Sequence, residues 1–238
     1  MAAAGVGLMD DDVAARVAAI RERIDAACTA AGRDPASVTL VAASKSQPIE
    51  KLRAAWDAGV RTFGENRVQE AASKQPELAE AEWHLLGPLQ SNKVRQAADL
   101  FTTYHALDRP KIVAAVAAEA QRRGTTVDGF VEVNLGGESS KHGFAPDGLP
   151  QALAPFRALA GLRLVGLMAI PPPGPDAEAS RPWFQKLRAL RDELAATPSW
   201  EAFPGWLSMG MSDDFAVAIE EGATHVRVGT ALFGPRGS

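Results

Sequence analysis

Eight times along the 238 residues, a short apolar, β-branched run is followed by a stretch with helical spacing or the start of one. The runs are SVTLVAAS (37–44), VRTFGE (60–65), WHLLG (83–87), LFTTYHALD (100–108), VDGFVEVNL (127–135), LRLVGLMAI (162–170), WLSMG (206–210) and THVRVG (224–229). Helices are predicted over about 10–31, ahead of the first run, then over about 48–59, 67–81, 90–98, from 110 onward, 147–159, 179–195 and 213–221, with a final TALFG turn. Eight βα units in this length fit a single (β/α)8 barrel of TIM type with an extra N-terminal helix, spanning 1–238 as one domain. A doubly wound sheet would want a glycine-rich phosphate loop after its first strand, and SKSQP stands there instead. The proline-rich stretch 171–180 reads as a βα loop, because the alternation resumes after it.

In the opening helix Val13, Val17, Ile20 and Ile24 form the buried stripe, and Gly32 stops it. Residues 1–9 are expected to be disordered. MAAAGVGLMDDD has no basic leader, and no charge-free stretch approaches the ~18 residues of a membrane span. The single cysteine, Cys28, reads as a small buried hydrophobe, and its lack of a partner suits a reducing compartment, so a cytoplasmic protein is expected. The formal net charge is −4 and there is no block of five basic residues, which removes the footprint a nucleic-acid binder needs.

Barrel chemistry sits at the carboxyl ends of the strands. Those ends carry Lys45, then Glu65 and Asn66, the GPLQSNK turn, Asp108, the NLGGESSKHG loop, Met168, the MGMS turn, and Arg227 with GTALFG. A lysine closing an apolar strand keeps its stem in the barrel and its amine at the mouth, where desolvation prepares it for imine formation. The loops after strands seven and eight often bind phosphate in barrels. Here Gly210, Ser212, Gly229 and Thr230 offer small residues, hydroxyls and helix starts for an anion. An imine-forming lysine facing a phosphate cradle implies a phosphorylated carbonyl: a sugar phosphate, as in Schiff-base aldolases, or pyridoxal 5′-phosphate. Arg227 shares a strand face with Gly229, which favours a ligand whose ring nitrogen needs a partner.

The segments LVAASKSQP, RTFGENRVQE, WHLLGPLQSNK, VNLGGESSKHGF, GLMAI and LSMGMSDDFAVAIEEGATHVRVGTALFG together resemble the YggS/PROSC family of pyridoxal phosphate-binding proteins, also called pyridoxal phosphate homeostasis proteins. The likeness covers about residues 10–236. Pro88 departs from it, since many members carry a histidine there. The resemblance implies a barrel related to the N-terminal domain of alanine racemase, a fold-type III pyridoxal phosphate barrel without the racemase β domain. By motif it places Lys45 as the Schiff-base lysine, Asn66 near the ring, Ser212, Gly229 and Thr230 at the phosphate, and Arg227 at the pyridine nitrogen. It implies a carrier or regulator of vitamin B6 and amino-acid balance with no established turnover. An imine lysine and a phosphate cradle without a second base point to a monomer that binds pyridoxal phosphate and delivers or buffers it, with pyridoxal phosphate-dependent apo-enzymes as expected partners.

An arginine at the pyridine nitrogen disfavours its protonation and weakens the ring as an electron sink. A two-base racemase also needs a second acid/base, given in the related racemases by a tyrosine of the extra domain. The one tyrosine here, Tyr104, lies inside the fourth strand run, and the length leaves no residues for that domain. Low-activity racemase remains the alternative function. His84, His105, His142 and His225 show no i,i+4 metal pairing, and GMSDD lacks the last glycine of a nucleophile elbow. His84 and His105 read as packed or hydrogen-bonded core residues, and the five tryptophans as packing. In the GGESSKHGF loop, Lys141 and His142 could offer alternate attachment groups.

Overall fold

The structure, a computed structural model, describes residues 7–138, 142–200 and 203–235, the side chains of 7–12 and 199 excepted. Its eight parallel strands close into a barrel in chain order: β1 (Thr39–Ala43), β2 (Thr62–Glu65), β3 (Glu82–Leu85), β4 (Thr103–Leu107), β5 (Val127–Glu132), β6 (Leu162–Met168), β7 (Trp206–Ser208) and β8 (His225–Val228), with β8 pairing back onto β1. The helices around it are α1 (Gly7–Ala30), α2 (Ile49–Asp57), α3 (Val68–Lys74), α4 (Val94–Ala97), α5 (Pro110–Arg122), α6 (Leu149–Leu153), α7 (Arg181–Ala195), α8 (Phe215–Glu220) and α9 (Thr230–Phe233). Each expected strand is present in its expected order. Each strand is too short to bury its own apolar side chains, and closure removes the edges that an open sheet would expose.

Several predicted helices are cut short where proline removes an N–H. The 67–81 stretch is α3 followed by a 3₁₀ turn over Gln75–Leu78 that contains Pro76, and 147–159 is α6 followed by a 3₁₀ turn over Ala154–Phe156 that contains Pro155. The strand run 127–135 ends at Glu132, with Val133 forming only an isolated bridge to Phe144. Residues 7–9 belong to α1 although disorder was expected for 1–9; residues 1–6 and Lys141 lie outside the described residues.

The main apolar core lies between strands and helices. Val13, Val17, Ile20 and Ile24 are all buried in it, as their spacing predicts, and Cys28 is fully buried beside them. Helix α1 packs across α2, α8 and α9. Inside the barrel the filling is different. Ala106, Phe130, Val165 and Met168 form a small apolar cluster, and the space next to it holds a ring system of His84, His105 and His225 with Phe130 and Trp206. Barrel interiors are usually filled by branched aliphatics; here imidazoles take much of that volume. Among the described residues no helix is long and apolar enough to cross a membrane.

Candidate functional site

The residue that precedes Lys45 and the one that follows it are both tied down. Ser44 is fully buried: its Oγ donates to Glu65 Oε1 (2.7 Å) and its N–H to Gly64 O (2.9 Å), while Lys74 Nζ donates to its carbonyl (2.8 Å). Ser46 sits in the left-handed region (φ 60°), costly for a residue with a side chain, and its N–H is held by Glu70 Oε1. Lys74 reaches from α3 to bind both Glu65 and Glu70 at 2.7 Å. Burial raises the Glu65 carboxyl above its ordinary range, and the hydrogen bonds from Lys74 and Ser44 offset only part of that. Glu65, one of the strand-end candidates, is therefore part of the clamp beneath Lys45.

Lys45, Asn66, Ser212, Arg227, Gly229 and Thr230, nominated one by one from strand ends, line one cavity of about 300 Å³. Gln47, Leu86, Ile170 and Met211 line it as well. A neighbouring cavity of about 720 Å³ shares Lys45 and Asn66 and adds Arg67, Lys93, Arg109 and His142, a positively charged approach to the smaller one. Among the described residues Lys45 Nζ makes no hydrogen bond or ion pair.

On the phosphate-loop side, the Gly229 and Ala231 N–H groups both donate to Ser212 Oγ, at 3.3 and 3.1 Å. The Ser212 turn is set from behind by Asp214, whose carboxylate accepts from the Met211 N–H (2.7 Å) and the Ser180 hydroxyl (2.8 Å). That turn delays α8 until Phe215, whereas the pattern placed the helix start near Asp213. Gly210 takes φ 90°, and its carbonyl accepts from the Arg227 N–H (3.0 Å), which joins the two loops.

Arg227 is buried in the barrel. Its Nη1 donates to Ser208 Oγ (2.7 Å) and its Nη2 to Ala169 O (3.1 Å). Burial lowers it to about 10, with Asp214 and Glu132 pulling the other way. Glu132, near the same end, is raised by burial and by Asp108. Tyr104 is buried, packs edge-on against Phe101 and does not line the cavity; burial also raises its hydroxyl well above the usual phenol range.

Strand-end reasoning missed the groups beneath the cavity. Ser208, His105 and His84 continue inward from Arg227 in hydrogen-bond contact. Strand alternation places each of them on the inner face, and that was the available signal. Burial also lowers His225 to about 3, with His84 adding to the effect, and puts His105 far below its ordinary value. A folded-state value below the unfolded 6.5 stabilises the native state above about pH 6.5, and that stability is lost as pH falls toward about 3. Stability is therefore expected to fall by about 3 kcal/mol between pH 6.5 and 5, roughly half from each of the two histidines, with a matching fall in thermal melting. His225→Gln should about halve that slope, and a slope equal to wild type would contradict the assignment.

The family described as "Alanine racemase, N-terminal domain" matches residues 16–237. An alanine racemase of Clostridium difficile, 14% identical, superposes with a TM-score of 0.72 over 96% of this chain and 57% of its own, which shows the shared fold. The class is thus that racemase barrel. Within it, a pyridoxal phosphate homeostasis protein of Pseudomonas aeruginosa is 45% identical over 94% of this chain and 96% of its own. PipY of Synechococcus elongatus, in a structure with PLP bound, is 37% identical with a TM-score of 0.81, over 93% of this chain and 100% of its own. The chain belongs to the pyridoxal phosphate homeostasis protein family.

Proposed function

We propose that this chain binds pyridoxal 5′-phosphate at the carboxyl mouth of the barrel through Lys45 and holds it for intracellular homeostasis and delivery. The observation that carries the reading is an uncommitted Lys45 amine, presented between two anchored residues, in the same cavity as a buried arginine and the Ser212 hydroxyl on which two backbone N–H groups converge. These residues fit the group. A cavity of about 300 Å³ is at the small end of ligand sites and suits a single substituted ring with a phosphate. When bound, pyridoxal phosphate supplies an aldehyde that condenses with an amine and a ring that can accept electron density.

The chain's own residues then divide the work. Lys45 Nζ is the attachment point. Ser212, Gly229 and Thr230 would hold the phosphate group. Asn66 would lie on the ring side of the cavity, and Arg227, as a cation, would disfavour a proton on the pyridine nitrogen. That makes the site suited to holding the cofactor rather than to driving carbanion chemistry. Tyr104, packed on Phe101, supplies no second base at the cavity, so the weak-racemase alternative gains no support from it. The cationic approach lined by Arg67, Lys93 and Arg109 would draw in a phosphorylated ligand. We further read the protein as a cytoplasmic monomer that passes the cofactor to apo-enzymes.

Incubation with pyridoxal phosphate, borohydride reduction and peptide mapping should place the adduct on Lys45 in wild type, with at least about tenfold loss in Lys45→Ala. An adduct of equal yield elsewhere in that variant would overturn the reading. Solvent deuterium appearing at the α-carbon of alanine or serine, dependent on Lys45, would instead favour racemase turnover.

A further inference from the structure

A chain of polar contacts runs through the barrel interior from its amino-terminal mouth to Arg227. Glu82 opens β3 and its side chain is half exposed. Its Oε1 lies 3.2 Å from His84 Nε2. His84 Nδ1 is 2.9 Å from His105 Nε2, His105 Nδ1 is 2.7 Å from Ser208 Oγ, and Ser208 Oγ accepts from Arg227 Nη1 at 2.7 Å. The five residues come from four strands, β3, β4, β7 and β8, so no single strand pattern announces the chain.

The chemistry assigns the proton on each atom. Arg227 has only donors, so Ser208 Oγ must accept from it. The Ser208 proton then needs an acceptor in a dry interior, and His105 Nδ1 is the one within reach. With Nδ1 accepting, the His105 proton sits on Nε2 and points at His84 Nδ1; the His84 proton therefore sits on Nε2, which makes no aligned hydrogen bond but lies 3.2 Å from Glu82 Oε1, so the carboxylate acts on it through charge. The reverse orientation would leave the Ser208 hydroxyl proton buried without an acceptor. Other groups pack on His105: His225 and Arg227 from β8, and the Phe130 ring from β5, stacked at 4.5 Å. None of these supplies a competing hydrogen-bond partner for its two nitrogens among the described residues.

We propose that Glu82, His84, His105 and Ser208 are positioning residues forming a one-directional relay, cation at one end and carboxylate at the other, that fixes the Arg227 guanidinium in one orientation. No proton needs to move along it; aligned dipoles in a low-dielectric interior reinforce one another and hold a charge that burial alone would disfavour. The consequence for the cofactor rests on the reading of Arg227 as the ring-nitrogen partner: the charge presented to the ring would then be set in part from the opposite mouth of the barrel.

Two measurements separate the relay from the reading it rests on. In the full chain labelled with ¹⁵N-histidine and free of cofactor, long-range ¹H–¹⁵N spectra should show the Nε2-protonated tautomer at both His84 and His105. Glu82→Gln, a half-exposed change that leaves the core packing alone, should shift the His105 signals as well as those of His84. An Nδ1-protonated His105, or His105 signals unmoved by Glu82→Gln, overturns the relay. In the loaded protein, Ser208→Ala should weaken cofactor retention about tenfold, the loss of one hydrogen bond to a charged donor, and move the pH midpoint of the cofactor's visible absorption. If the histidine spectra behave as expected but that midpoint moves in neither Ser208→Ala nor Arg227→Gln, the relay stands and the placement of Arg227 at the ring nitrogen falls.

Discussion

Lys74→Met is expected to destabilise the protein by about 3–5 kcal/mol at neutral pH, the cost of leaving a buried carboxylate without its partner. Glu65 is fully buried, Lys74 nearly so, and Glu65 Oε2 already has no hydrogen-bond partner. Without Lys74 the Glu65 carboxylate keeps only the Ser44 hydroxyl. Burial has raised Glu65 even with Lys74 present, and removing the cation raises it further, so the variant's native state keeps a proton on Glu65 to a higher pH than wild type does. The ionisation cost disappears once the unfolded chain is protonated too, so the variant's deficit should shrink as pH falls toward the ordinary carboxylate range. Glu70 behaves the opposite way. Burial opposes its ionisation, but Lys74 and the Ser46 N–H outweigh burial and hold it below its usual value. Its contribution is present above the unfolded carboxylate value and is lost as pH falls. Urea unfolding at neutral and mildly acid pH measures both trends. Lys74→Met combined with Glu65→Gln should recover most of the loss; a double variant as unstable as the single one would show that packing, not charge, dominates.

That clamp also bears on function, because Lys74 binds the Ser44 carbonyl directly beneath Lys45. Loosening it should lower the yield of the Lys45 adduct even at temperatures where the variant stays folded. The clamp illustrates what a linear reading reaches and where it stops. Lys45 was legible because a strand end has one exit, the barrel mouth, and the glycine- and hydroxyl-bearing loops 210–212 and 229–230 were legible because they follow the last two strands. Nothing in the spacing of the predicted 67–81 helix singles out Lys74, and only the fold brings it 2.7 Å from Glu65, nine residues earlier. The barrel itself followed from alternation, which is a local signal. The His84–His105–Ser208 contacts depend on how three strands, β3, β4 and β7, are placed around the barrel and on a shared depth in it, and neither is encoded within a single segment. Helix ends were misjudged where Pro76 and Pro155 interrupt an otherwise apolar period, since spacing alone is blind to the missing N–H.

Gly210→Ala is expected to cost about 2–4 kcal/mol and to weaken cofactor retention at least about tenfold, from left-handed strain and overpacking together. At φ 90° a side chain is strained wherever it points, and here a Cβ would also stand 2.5 Å from Ala218 Cβ and 2.9 Å from Phe215 Cα. Those atoms belong to α8 and cannot rotate away, so relief must come from shifting the 210–214 turn. Any such shift breaks the Arg227 N–H bond to the Gly210 carbonyl and moves Met211 and Ser212, whose Oγ meets the Gly229 and Ala231 N–H groups. The cradle and the arginine therefore fail together. Gly32→Ala is the matched control: its φ of 64° is also left-handed, but nothing lies within 4 Å of an added Cβ, and it is far from the cavity. That control should lose about 1 kcal/mol and retain cofactor as wild type does. Equal losses of stability and of retention in the two variants would mean that backbone strain alone is being measured and that the Gly210 turn has no special hold on the site.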